Sequence, residues 1–271
     1  MLRKTSFVVL SAFVVFGLFL VAGVSAADSD VPDVQTIVNK ANIVAYYQGD
    51  DGKATVKMTI TNKAGQTRER EFIILRKDVA DGGDQNYFVY FQRPSDVRRM
   101  VYLVQKHTGE GKDDDRWLYL PALDLVKRIA ASDKRTSFVG SDFVYEDVSG
   151  RGLDLDTHEL VETTDTLFVV KNVPKKPEEV EFSYYTVAID RKTYVPMKME
   201  FYDKQGQLYR IIESKDVRVI QEFPTVTKSL VKDLKTGGQT EMEFTDIRYN
   251  VGIGDIFEER YLRRPPREAM R

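Results

Sequence analysis

The chain has 271 residues, 40 of them basic and 42 acidic, and contains no cysteine. That near balance of charge argues against a nucleic-acid partner, which would need a basic face. The missing thiols exclude a disulfide framework, a thiolate metal site and a cysteine nucleophile, so stability must come from one sizeable apolar core.

Arg3 and Lys4 precede an apolar run from Phe7 to Val24, which closes on Val24-Ser25-Ala26. A basic start, an apolar middle and small residues at the −3 and −1 positions read as a secretory signal, so residues 1–26 are expected to be a cleaved signal peptide. The run touches the length of a spanning helix, which makes a retained anchor the alternative. Ser11, Gly17 and Gly23 weaken that alternative, and no positively charged stop follows. With Arg3 and Lys4 removed, 38 basic residues face 42 acidic ones, and the formal net charge moves from −2 to −4. Residues 27–271 are expected to form one domain.

Pro32 and Asp33 open a helical pattern in which Val34, Ile37, Val38, Ala41, Val44 and Ala45 recur at three- and four-residue steps. Proline and an acid in the first turn agree with a helix start, and the glycines around Asp50 end it. Alternation then takes over. Ala54, Val56, Met58 and Ile60 alternate with Thr55, Lys57, Thr59 and Thr61, the mark of a strand with one wet face. Strands follow at Thr67–Lys77, Tyr87–Gln92 and Met100–Lys106, then Arg116–Leu120 and Leu125–Ala130. Beyond the central stretch come Thr157–Thr163, Leu167–Asn172, Glu181–Asp190, Pro196–Tyr202, Leu208–Ile220, Thr225–Leu234 and Thr240–Tyr249.

Tight turns such as Asp203-Lys204-Gln205-Gly206 require antiparallel pairing of consecutive strands, because parallel neighbours need long crossovers. About ten to twelve strands are too many for an open sheet to stay flat. The fold class is therefore mainly β: a curled antiparallel sheet, with helices packed in or over its concave face. A membrane barrel is excluded because the candidate outer face carries Lys57, Arg68, Arg70, Lys198, Glu200, Lys228, Lys232, Glu241 and Glu243.

Met58, Phe72, Phe91, Met100, Tyr102, Trp117 and Tyr119 are expected on the concave side. They serve there either as plain core or as the lining of an apolar pocket, to which large, soft side chains are suited. The stretch Asp113–Asp147 departs from simple alternation. It holds the only tryptophan, and its Ser137–Asp147 tail mixes aromatics and acids as a loop or short helix lying across something would.

Asp115-Arg116-Trp117-Leu118-Tyr119-Leu120-Pro121-Ala122, then Val126-Lys127-Arg128-Ile129-Ala130, then Ser137-Phe138-Val139-Gly140-Ser141-Asp142-Phe143-Val144-Tyr145-Glu146-Asp147 resemble the signature of the outer-membrane lipoprotein-sorting (LolA-like) proteins, in the branch associated with RND-type transporters. Val139 stands where a methionine is common, and weaker similarity covers most of the chain. The resemblance implies a half-open barrel with helices as a lid, a periplasmic location, and binding of lipid or lipoprotein acyl chains. An inner-membrane RND-type transporter is a further implied partner. The chain is read as a monomer with no cofactor and no metal. On this reading Ser137–Asp147 covers the groove, with Phe138, Phe143 and Tyr145 facing it, and Arg128 pairs with Asp142 or Glu146 as a latch. The alternative is an ordinary structural latch.

Asp113-Asp114-Asp115 lacks the spacing of a calcium loop, and His107 and His158 are too far apart in sequence to suggest a zinc pair. Gly140-Ser141 is not part of a nucleophile elbow. Asp142, Glu146 and Asp147 supply carboxylates for an acid–base pair in principle, and serve equally as caps or ion-pair partners. Three functions follow: a lipid or lipoprotein carrier; a non-enzymatic adaptor or regulator of an RND-type transporter or envelope-stress system; and a carboxylate glycan hydrolase. A carrier without catalytic residues is the primary expectation.

Overall fold

The computed structural model describes residues 31–109 and 111–270. The expected signal peptide lies outside them. Among the described residues no helix is long and apolar enough to cross a membrane.

Helix α1 (Val34–Tyr46) begins where the sequence places it. Asp33 caps it by accepting hydrogen bonds from the Thr36 amide at 3.0 Å and the Thr36 hydroxyl at 2.6 Å. These bonds satisfy an orphan donor of the first turn and hold the Asp33 carboxyl below its ordinary range. Its Ile37, Val38 and Ala41 are buried.

Thirteen strands follow, one beyond the upper end of the expected count: β1 (Asp51–Thr61), β2 (Thr67–Asp78), β3 (Gln85–Arg93), β4 (Val101–Lys106), β5 (Asp115–Leu120), β6 (Leu125–Arg128), β7 (Asp156–Thr163), β8 (Leu167–Pro174), β9 (Phe182–Asp190), β10 (Pro196–Asp203), β11 (Leu208–Ile220), β12 (Phe223–Asp233) and β13 (Gly238–Tyr249). They form one antiparallel sheet in the order β6-β5-β4-β3-β2-β1-β13-β12-β11-β10-β9-β8-β7. Every pairing joins neighbours in sequence except β1 with β13, which links the two ends of the chain's strand series.

The two edges of the sheet are β6 and β7, and they are consecutive in sequence. The segment 129–155 must therefore travel from one edge of the curled sheet to the other. It does so across the concave face, and it carries the Ser137–Asp147 motif and the short helix α2 (Tyr145–Ser149). Topology thus explains why this stretch breaks the alternating pattern: it lies over the sheet and belongs to neither edge.

Both faces of the β2–β5 part are apolar, whereas β1 is apolar on its concave side only. On the concave side Val56, Met58, Phe72, Phe91, Tyr102 and Leu118 pack with Phe138, Phe143 and Tyr145. On the convex side Ile73, Leu75, Phe88, Val101, Leu103 and Tyr119 pack under Ile256, Phe257 and Leu262 of the C-terminal segment. That segment is strapped down where Asp51 accepts bonds from the amides of Val251 (2.7 Å) and Ile253 (2.6 Å). The β10–β13 part of the convex face needs no cover, because it is a ladder of cross-strand ion pairs such as Lys228–Glu243 (2.5 Å) and Lys232–Glu213 (2.9 Å).

An acyl-sized cavity and its charged wall

Between α1, α2 and the middle of the sheet the concave face is left unfilled, over a volume of about 440 Å³. Pockets of roughly 300–1,000 Å³ hold small apolar ligands. Val38, Ala41, Val44 and Ala45 of α1 form the roof. Val187 of β9, Met199 of β10, Ile212 of β11 and Met242 and Phe244 of β13 form the floor. Phe138, Phe143 and Val148 close one end.

The closed end is a plug. The Phe138 ring, 1 % exposed, meets the rings of Tyr102, Tyr145, Phe91 and Phe72 at centroid distances of 5.5, 5.7, 5.9 and 6.3 Å. A short hairpin presents it: the Phe138 amide bonds the Phe143 carbonyl at 2.8 Å, and Val139 and Gly140 turn the chain with φ of 49° and 76°. A β-branched residue with positive φ is rare and costs about 1–3 kcal/mol, so the surrounding contacts must hold it there.

The other wall is charged, and its buried carboxylates and guanidinium groups pair with one another. Glu146, 2 % exposed, bonds Arg135 at 3.1 Å and Arg151 at 3.3 Å, with Lys134 at 4.0 Å. Arg135 also bonds Glu181 at 2.6 Å, and Arg151 bonds Asp156 at 2.9 Å. Burial would raise the Glu181 carboxyl, but the Arg135 bond and charge outweigh it and hold the group at about 2. Asp147 pairs with Arg210. Arg76 donates to the Gln48 and Gly49 carbonyls at 2.7 and 2.6 Å, fixing the turn that follows α1. These bonds pair Glu146, Asp147, Arg76, Arg135 and Arg151 internally, and Lys53 of β1, also at the lining, forms no side-chain hydrogen bond or ion pair among the described residues.

Lys106 ties the two helices together. Its ammonium, buried at 4 % exposure, donates to the Ser149 carbonyl at 2.7 Å and lies 5.1 Å from the centre of the Tyr46 ring. Burial strips its hydration and lowers its pKa to about 8, against the opposing pull of Asp114 and Glu146. Gly150 completes the junction with φ of 77°, and a Cβ there would stand 2.4 Å from the Tyr46 ring. Only glycine lets α1 and the end of α2 approach this closely.

The sequence-predicted positions separate into three groups. Phe72, Phe138 and Phe143 line the cavity, as does Glu146. Met58, Phe91, Met100, Tyr102 and Tyr145 lie in the packed core around the plug instead. Trp117 and Tyr119 are on the convex face, under the C-terminal strap. The expected concave placement of these last two is corrected by strand register. Tyr102, which is concave, pairs with Leu118, so the alternate residues of β5 point the other way.

The expected Arg128 latch is also corrected. Arg128 is an exposed residue of the edge strand and pairs with Asp115. Asp142 is held instead by the Thr240 hydroxyl at 2.6 Å, and Glu146 by Arg135 and Arg151. Sequence reasoning missed Val187, Ile212, Arg135 and Arg151 as cavity residues. The first two could have been found by carrying the alternation of β9 and β11 to the concave side. No local pattern announces the two arginines.

The sites considered for metal and hydrolytic chemistry are accounted for structurally. Asp113 and Asp114 bind Arg116 at 3.1 and 2.6 Å. Among the described residues, no group of three or more histidine, aspartate or glutamate side chains is arranged to hold a metal ion.

The comparisons with known proteins agree with this architecture. The family model that matches, described as "-like: Uncharacterized protein", spans residues 83–264, about two thirds of the chain. No curated protein matches. Among solved structures, a DUF1329 family protein from Desulfovibrio piger is 29% identical, with a TM-score of 0.77 over 86% of this chain and 100% of its own. A domain from Vibrio parahaemolyticus, described as a "putative outer membrane lipoprotein-sorting protein domain", is 27% identical, with a TM-score of 0.77 over 85% of this chain and 98% of its own. A LolA superfamily protein from Nitrosomonas europaea shares the fold at 18% identity, with a TM-score of 0.65 over 85% of this chain and 100% of its own. With its half-open thirteen-stranded sheet, its crossing segment and these relatives, the chain belongs to the family whose model it matches, a LolA-like family.

Proposed function

We propose that the protein is a periplasmic carrier that holds an acyl chain of a lipid or lipoprotein in the cavity beneath α1, and that it acts in lipoprotein sorting or lipid transport toward the outer membrane. The observation that carries this reading is the combination of an unfilled, mostly apolar cavity with a wall in which Glu146, Arg135, Arg151 and Asp156 pair with one another. A site built this way favours an uncharged, flexible, apolar guest. The secretory pattern of residues 1–26 supports export, and an inner-membrane RND-type transporter is the partner suggested by the branch of the family.

The energetics suit a carrier that must release its load. About twelve buried methylenes contribute roughly 10 kcal/mol at about 0.8 kcal/mol each. Association and ordering of the chain cost about 4–15 kcal/mol, so the net affinity is modest and the complex reversible. No step of the cycle needs a catalytic residue. The plug at Phe138 marks how far the guest can travel, and the α1–α2 junction at Lys106 marks the elements that must part to admit it.

Mass spectrometry of organic extracts from the purified chain tests the reading. The expected result is a stoichiometric lipid, and uptake of a fluorescent fatty acyl probe once that lipid is removed. Protein that carries no lipid and takes up no probe would remove the carrier function and favour the adaptor alternative.

A further inference from the structure

We propose that one end of the sheet is a docking edge for an anionic phospholipid surface, formed by Leu123 and Leu125 at the β5–β6 tip within a rim of Arg98, Arg99, Arg264 and Arg267. Registers place these parts side by side. Tyr90 pairs with Val101, Val101 with Tyr119, and Tyr119 with Val126, so the β3–β4 loop and the β5–β6 tip leave the same end of the sheet on adjacent strands. The C-terminal segment arrives there too. Arg263 donates to the Asp124 carboxylate at 3.0 Å and to its carbonyl at 3.2 Å, and the Met270 carbonyl accepts from Gln92 of β3 at 3.3 Å.

The tip is apolar without cover. Ala122 to Leu125 are all exposed, Leu123 at 70% and Leu125 at 45%. Two leucines on a turn at the sheet's edge make a wedge, too small for a stable protein interface of about 800 Å² per partner. A wedge of this kind suits the headgroup boundary of a bilayer, where each apolar side chain leaves water.

The rim is cationic in a chain that is otherwise balanced at 40 basic and 42 acidic residues. Four acids of this end are engaged elsewhere: Asp96 with Arg70 (3.2 Å), Glu71 with Arg93 (3.5 Å), Glu69 with Lys57 (2.8 Å) and Asp124 with Arg263. Arg98, Arg99, Arg264 and Arg267 are exposed and form no ion pair among the described residues. Four exposed guanidinium groups around an apolar wedge complement phosphate headgroups of a negatively charged membrane. The edge is remote in role from the acyl cavity: it decides where the protein stands, not what it holds.

Flotation of the chain from Ala27 onward tests this with vesicles of phosphatidylcholine alone and of equimolar phosphatidylcholine and phosphatidylglycerol. Flotation with the anionic vesicles only, falling with salt, is expected. Arg98→Gln, Arg99→Gln and Arg264→Gln are each expected to weaken it about fivefold. Leu123→Ser with Leu125→Ser is expected to abolish it, with circular dichroism unchanged because all these positions are exposed. The proposal is overturned if both vesicle types recover the protein equally, if neither does at low salt, or if the double leucine variant floats like the parent.

Discussion

Ser229→Phe distinguishes an acyl cavity from an ordinary core by giving opposite results for the two. Ser229 lies on β12 opposite Met242 and Ser214, at the middle of the cavity floor, and its side chain is half-buried. A phenyl ring there occupies space that about four methylenes of a guest would use. Losing those contacts at about 0.8 kcal/mol each removes roughly 3 kcal/mol, or about a hundredfold in affinity. Stability should move the other way or stay still, because the ring enters empty space and buries apolar area. In a filled core the same insertion costs about 1–3 kcal/mol through overpacking. Displacement of a fluorescent fatty acyl probe and urea denaturation on the same sample read both quantities. Unchanged affinity together with a loss of about 2 kcal/mol or more in stability would refute the reasoning.

Three further outcomes follow from the same geometry. Phe138→Ala removes the centre of the plug's aromatic cluster, and is expected to cost about 3–5 kcal/mol by urea denaturation. Glu146→Gln leaves Arg135, Arg151 and Lys134 facing a neutral group in a buried site, with a loss of about 3–5 kcal/mol seen as a fall in Tm. Lys106 titrates near 8 in the native state and near 10.5 when unfolded. Between those values the unfolded chain binds the extra proton, so stability rises with pH, by about 2 kcal/mol from pH 8 to pH 10. Lys106→Met should flatten that slope in denaturation curves taken across the range.

Much of the fold was legible because a two-residue period survives in most strands. Val56, Met58 and Ile60 against Lys57 and Thr59 name a wet and a dry face without any structure. The reading failed where both faces are apolar. In β5 Trp117 and Leu118 are equally hydrophobic, so periodicity does not choose between them, and the choice was made by a strap some 140 residues later in the chain. Ile256, Phe257 and Leu262 occupy that strap without regular spacing, which hid a cover for the convex face. The motif Ser137–Asp147 breaks the two-residue period in the sequence, and in the structure its Phe138, Phe143 and Tyr145 pack on the concave cluster. Its partners were missed for a different reason. Glu146 meets Arg135 and Arg151 from within the crossing segment and Asp147 meets Arg210 from β11, and buried ion pairs between distant residues leave no periodic trace.

A photoreactive acyl chain is the most direct probe of the claim that the space beneath α1 holds the guest. The chain from Ala27 onward would be loaded with a diazirine-bearing fatty acyl ester, illuminated and mapped by peptide mass spectrometry. Labels on Val44, Val187, Met199, Ile212 and Phe244, competed away by unlabelled lipid, are the predicted result. Labels confined to the convex face, or spread over the surface without competition, would contradict it.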